Sequence, residues 1–183
     1  HGGDRSQDKI LVATSTEGLN RGAIAMSAQV NLGDPAEPEM IERMARITTE
    51  SNEKELPVLG MFYPRGNNLY LDKSDSTGGV AHAARLAWEL GCNVVKVPWT
   101  GSEESFRIVT SSVPIPVLVS GGPKDEDFRS VLELVEKSIN AGGSGVCMGR
   151  NVFASEDPAS RIRALRAMVH DGAKAEDASR HLR

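Results

Sequence analysis

Asn93-Val94-Val95-Lys96-Val97-Pro98-Trp99 is an apolar run of strand length with a lysine close to its C-terminal end. Before it, Val80, Ala83, Ala84, Ala87 and Trp88 repeat at helical spacing and stop at Gly91. The same alternation recurs to either side. Ala25 to Leu32, Pro57 to Tyr63, Pro116 to Ser120 and Ser144 to Gly149 read as further strands, each followed by a loop carrying Gly or Pro. Met40, Ile41, Met44, Ile47 and Thr48 make a helical stripe within Pro38 to Glu55. Phe128, Val131, Leu132, Val135 and Ile139 make another, ending at Ala141-Gly142-Gly143, a C-cap sequence. Asp157-Pro158 opens a further helix with Ile162, Leu165 and Val169 on one face, and a short polar helix runs from Ala175 to His181. Between Lys9 and Ala23 the reading is divided. Ile10 to Ala13 suits a strand, whereas Thr14-Ser15-Thr16-Glu17 suits a helix start.

Strands that are apolar on both faces and separated by helices indicate a parallel sheet with covered faces. Such a chain has two main solutions, an open doubly wound sheet or a closed barrel. A dinucleotide fold would carry G-x-G-x-x-G after a strand, and none follows any strand here. Polar residues suited to chemistry stand instead at several different strand ends, which favours a TIM (β/α)8 barrel. Five β-α units are legible within 183 residues, with no internal boundary, so 1–183 reads as a single domain. A complete barrel typically takes about 250 residues.

Hydrophobic residues make up 39% and charged residues 25%, and the formal net charge of −4 comes without a basic block. A nucleic-acid partner is therefore not expected. Cys92 and Cys147, each inside an apolar stretch, read as two buried thiols rather than a disulfide framework, which points to a cytoplasmic setting. No apolar run approaches the roughly 20 residues of a membrane helix. The N-terminal stretch His1-Gly2-Gly3-Asp4-Arg5-Ser6-Gln7-Asp8 is polar and reads as a loop rather than a signal peptide.

Lys96 is the first candidate for chemistry. Taking an ammonium out of water favours the neutral amine, the form that attacks a carbonyl to make an imine. The plainer reading is a lysine that snorkels to solvent or pairs with one carboxylate. Tyr63 closes the strand Pro57 to Tyr63 and runs into Pro64-Arg65-Gly66. A phenol there can shuttle a proton, helped by a nearby cation such as Arg65 or an iminium, or it can simply pack its ring at the rim. Two glycine turns follow the last two strands, Ser120-Gly121-Gly122-Pro123 and Met148-Gly149-Arg150-Asn151. Glycine lets a backbone approach a ligand, a following helix start offers N–H groups, and Arg150 adds a fork for phosphate oxygens. In β/α barrels the loops after the last two strands frequently hold a phosphate. Ordinary loop chemistry is the alternative for each. Asn31 could line the same site or close a turn with Gly33. His82 and His170 lack a second ligand at metal spacing, and no metal site is expected.

Taken in order, these motifs resemble the archaeal-type class I fructose-bisphosphate aldolases and their relatives, which include aminodideoxyheptulosonate synthases and a thiolase of autoinducer phosphates. The resemblance is carried by Gln29-Val30-Asn31-Leu32-Gly33, Met61-Phe62-Tyr63-Pro64-Arg65-Gly66, Val80-Ala81-His82-Ala83-Ala84-Arg85 and Val94-Val95-Lys96, and by Thr100-Gly101, Ser120-Gly121-Gly122-Pro123 and Gly149-Arg150-Asn151-Val152-Phe153. It covers nearly all of the chain from Lys9 onward. It implies that Lys96 is the Schiff-base lysine, Tyr63 the proton donor and acceptor, and Ser120, Gly121, Gly122, Gly149 and Arg150 the holders of a substrate phosphate. It further implies a metal-independent lyase of carbohydrate metabolism and glycolysis, with a phosphorylated sugar as substrate, no cofactor, no nucleic-acid or membrane partner, and assembly as a homo-oligomer. The alternatives are a transferase of the same family, synthase or thiolase-like, and a non-catalytic truncated barrel. Within that family the first strands carry a catalytic aspartate. The units legible here match the fourth to eighth, so the resemblance implies further N-terminal strands, expected from a longer native chain rather than a second one. Val97-Pro98-Trp99 departs from the pattern after the lysine, where relatives more often carry polar residues and a tyrosine, and substrate choice could change there.

Overall fold

A computed structural model describes residues 7–67, 69, 75–122 and 127–182. His1 to Ser6 of the polar N-terminal stretch, and Pro123 of the first glycine turn, lie outside the described residues. The chain alternates strand and helix: α1 (Ser15–Asn20), β1 (Met26–Leu32), α2 (Glu37–Asn52), β2 (Val58–Pro64), α3 (Thr77–Glu89), β3 (Val94–Val97), α4 (Glu103–Ser111), β4 (Val117–Ser120), α5 (Phe128–Asn140), β5 (Gly145–Cys147), α6 (Arg150–Phe153), α7 (Pro158–Asp171) and α8 (Ala175–Ala178), the last continuing as a 3-10 turn over Ser179–Leu182. The five strands form one parallel sheet in the order β1-β2-β3-β4-β5. A doubly wound sheet reverses its order at a switch point. Here the order never reverses, which is the winding of a TIM-barrel wall.

Strand alternation gives the sheet two different faces. Val30, Phe62, Val95, Val97 and Val119 are 0% exposed on the face covered by helices, where they pack with Met44 of α2, Val80 and Ala84 of α3, and Phe106 and Val109 of α4. The opposite face carries Met61, Tyr63, Lys96, Leu118 and Ser120, tied by the register pairs Met61↔Lys96 and Lys96↔Leu118. The valines that flank Lys96 in sequence therefore point away from it, and its half-burial has other neighbours.

Several sequence expectations shift. Ile10 to Ala13 forms no strand; Thr14 caps α1 instead, its hydroxyl accepting Glu17 N–H at 3.1 Å. Helix α2 stops at Asn52, short of Glu55, because Leu56 N–H returns to the Ser51 carbonyl while Glu55 turns left-handed at φ 55°. β5 ends at Cys147 rather than Gly149, whose carbonyl is taken by Val152 and Phe153 N–H. Helix α4 had no legible stripe because only Phe106 and Val109 of its nine residues are buried; the Ser102–Ser105 capping box marks its start. The last helix is split, and Ala175 and Ala178 bury against α5 and α7. Trp99 tilts against Phe106 with ring centroids 5.0 Å apart, which makes it part of the helix-side packing. Of the two thiols, Cys92 is buried and burial pushes it up to about 12, whereas Cys147 is half-buried on the open face.

Gly66 ties the loop after β2 to the loop after β1. A Cβ built on it would stand 1.7 Å from the Gly33 backbone, and its N–H donates to the Leu32 carbonyl at 2.8 Å. Gly66→Ala must therefore push apart two backbones, not a flexible side chain. It is expected to lower stability by about 1–3 kcal/mol, the range for forced overpacking, read as a fall in the urea midpoint at unchanged slope.

Candidate active site

At the C-terminal ends of the strands the open face forms a small, partly open cleft. It is lined by Tyr63 near the end of β2 and Arg65 just beyond it, Lys96 on β3, Ser120 at the end of β4 with Gly121 and Gly122 beyond it, and Cys147, Gly149, Arg150 and Asn151 around the end of β5. Lys96, Tyr63, Ser120, Gly121, Gly122, Gly149 and Arg150, named from sequence, meet there. The sequential sheet order explains how: Lys96 stands on the strand between the Tyr63 strand and the first glycine turn.

Tyr63 is 7% exposed, and the Arg65 guanidinium carbon lies 3.9 Å from its ring centroid. This stacking holds a cation against the phenol. Lys96 is half-buried. The cleft thus gathers an amine, a phenol and two guanidinium groups, and no carboxylate is among its described lining residues. Such a surface suits an anionic ligand.

The two glycine turns are bonded to each other. Arg150 Nη2 donates to the Gly122 carbonyl at 2.9 Å, and Asn151 Nδ2 donates to the Gly121 carbonyl at 2.5 Å. Gly122 has φ +63°, which a side chain tolerates poorly, and a Cβ on Gly121 would meet Met148 Cγ at 2.9 Å. Conformation requires the one glycine and close approach the other.

Among the described residues, groups of metal-ligating side chains are absent, and neither His82 on α3 nor His170 on α7 lines the cleft. Asn31 is fully buried beside Tyr63 in the register but is not a lining residue; it donates to the Gln7 carbonyl at 2.6 Å and accepts from Gln29. Trp99 is not a lining residue either.

Residues 1–155 match the family described as DeoC/LacD family aldolase. The chain belongs to the DeoC/LacD aldolase family. Its curated relatives include the 2-amino-4,5-dihydroxy-6-oxo-7-(phosphonooxy)heptanoate synthase of Streptomyces griseus, 37% identical over 163 residues, which are 89% of this chain and 59% of that protein. The 2-amino-3,7-dideoxy-D-threo-hept-6-ulosonate synthase 1 of Archaeoglobus fulgidus is 38% identical over 93% of this chain and 62% of its own length. Among solved structures, an archaeal fructose-1,6-bisphosphate aldolase, with its catalytic lysine covalently bound to the carbinolamine intermediate, superposes with TM-score 0.81 at 32% identity. That match covers 87% of this chain and 63% of the other. The chain thus spans less than two thirds of the length of these relatives.

Within this DeoC/LacD chain, sequence reasoning left three lining residues out of the site. Arg65 stood there only as a neighbour of Tyr63. Cys147 counted as a buried thiol, although its pairing with Ser120 puts it on the cleft face. Asn151 was part of a motif without a role, and only its 1% exposure and its bond to Gly121 mark it out. Among the described residues no helix is long and apolar enough to cross a membrane.

Proposed function

We propose that the cleft is the active site of a class I aldolase-type enzyme in which Lys96 forms an imine with a phosphorylated ketone. The observation that carries this reading is the meeting of Lys96 and Tyr63 with two guanidinium groups and two glycine turns in one cleft. The Lys96 amine adds to the ketone to give a carbinolamine, which loses water to become a protonated imine. The iminium then accepts the electron pair released when the carbon–carbon bond β to it breaks. Tyr63 takes the proton of the hydroxyl on the departing carbon, which leaves as an aldehyde, or moves a proton on the carbinolamine. Protonation of the enamine and addition of water return the amine. The glycine turns and Arg150 hold the phosphate, so that binding energy remote from the reacting bond orients the ketone.

The compounds named for two of these relatives support this substrate class. Fructose 1,6-bisphosphate and the 7-(phosphonooxy)heptanoate each carry a ketone next to a phosphorylated carbon and a hydroxyl β to that ketone. Each also ends in an anion at the far end of the chain, where Arg65 stands across Lys96 from the glycine turns. Cleavage of a ketose bisphosphate is the first finer reading. Bond formation by a synthase is the second, favoured by the 37% and 38% identities to relatives named as synthases. Incubation with dihydroxyacetone phosphate and borohydride tests what the two share. Mass spectrometry should find the reduced adduct on the Lys96 peptide; an unmodified Lys96 would overturn the covalent mechanism. Product analysis with fructose 1,6-bisphosphate then separates the finer readings, since triose phosphates form only if the bisphosphate is cleaved.

A further inference from the structure

We propose that Arg161, which lies outside the cleft lining, is a positioning residue that sets the phosphate end of the cleft through Asn151. The inference rests on the glycine turns being the phosphate site proposed above. The sheet ladder between β4 and β5 stops at Ser120↔Cys147, so backbone pairing does not reach the two turns that follow. Side chains hold them together instead. Arg150 is exposed where it meets the Gly122 carbonyl, so an incoming anion can compete for its guanidinium. Asn151 is 1% exposed, and its amide stays on the Gly121 carbonyl.

That bond determines more than the distance between the turns. In a trans peptide the carbonyl and the following N–H point in opposite directions. With the Gly121 carbonyl directed at Asn151, the Gly122 N–H is directed away from it. The peptide between two glycines meets little steric resistance to turning over. Turned over, it would present a carbonyl oxygen where the N–H had been, and repel a phosphate. Asn151 is thus the latch that keeps a donor at this end of the cleft.

Asn151 is itself held. Its backbone carbonyl accepts Arg161 Nη1 at 2.6 Å, and the Arg161 guanidinium carbon lies 4.6 Å from the ring centroid of Phe128. Arg161 belongs to α7, and Phe128 opens α5 beyond the first glycine turn. Among the described residues no carboxylate pairs with Arg161, so its whole engagement is with a carbonyl and an aromatic face. One side chain therefore links α6, which opens at the second glycine turn, to the helix that follows the loop after β4.

The test uses the intact protein and two readouts. Calorimetry with inorganic phosphate measures the anion site, and borohydride trapping with unphosphorylated dihydroxyacetone measures Lys96 alone. Arg161→Met keeps the stem over Phe128 but removes the donor. It should weaken phosphate binding about tenfold, the value of one hydrogen bond to a charged group, and leave dihydroxyacetone trapping at the wild-type rate. Arg161→Lys should recover part of the phosphate affinity. Asn151→Ala should weaken phosphate binding at least as much, which keeps the inference open to refutation if the Arg161 variants fold poorly. Wild-type phosphate affinity in both Arg161→Met and Asn151→Ala would overturn it, as would equal losses of phosphate binding and dihydroxyacetone trapping in Arg161→Met. Wild-type protein that binds phosphate but never traps at Lys96 would defeat the imine mechanism while leaving the phosphate latch standing.

Discussion

Lys96→Met is expected to reduce turnover of a phosphorylated ketose by about 10⁴-fold or more, the order seen when a catalytic nucleophile is removed. Methionine retains much of the stem, and Lys96 is only half-buried, so the fold should survive. Its neighbours Val95 and Val97 pack on the other face and do not depend on the lysine. The informative companion is Lys96→Arg. Arginine preserves the positive charge of the cleft but does not surrender a proton to become a nucleophilic amine. If Lys96 acts by forming an imine, both variants lose activity equally and neither traps with borohydride. If Lys96 acts only as a cation, Lys96→Arg retains most of the activity, and the covalent reading fails.

Tyr63→Phe should lower kcat by about 10² to 10⁴-fold, the span typical of a general acid–base group. The ring is 7% exposed and has Arg65 stacked on it, so removing one hydroxyl leaves the packing largely intact. Single-turnover trapping locates the proton that Tyr63 moves. Where it serves the hydroxyl of the scissile carbon, Tyr63→Phe still gives the reduced Lys96 adduct with the ketose and then stalls before bond cleavage. Where it serves the carbinolamine, adduct formation itself slows. A kcat within about threefold of wild type would remove Tyr63 from the chemistry.

Much of this architecture was legible in the chain itself. An apolar run of strand length, a helical stripe and a glycine stop recur along it, and that rhythm requires a parallel sheet under helices. Lys96 near the end of its strand and Tyr63 at the end of another could be placed in the same way, because a β/α barrel presents its strand ends on one side. The glycine turns announced themselves by composition, and their place after the last two strands pointed to an anion. What stayed illegible was either short or non-local. Helix α4 buries only two side chains, too few to make a stripe.

The sequence by itself determined the order of elements, since that follows from local periodicity, and its motifs named the candidate groups of the cleft. Only the tertiary structure decided which face each group occupies and what it touches. Strand alternation turned Val95 and Val97 away from Lys96 and turned Cys147 toward the cleft. Packing withdrew Trp99 to Phe106 and brought Arg65 over Tyr63. The chain from Arg161 through Asn151 to Gly121 joins residues 10 and 30 positions apart. No periodicity encodes such a contact, because it exists only once two strand ends have been set side by side.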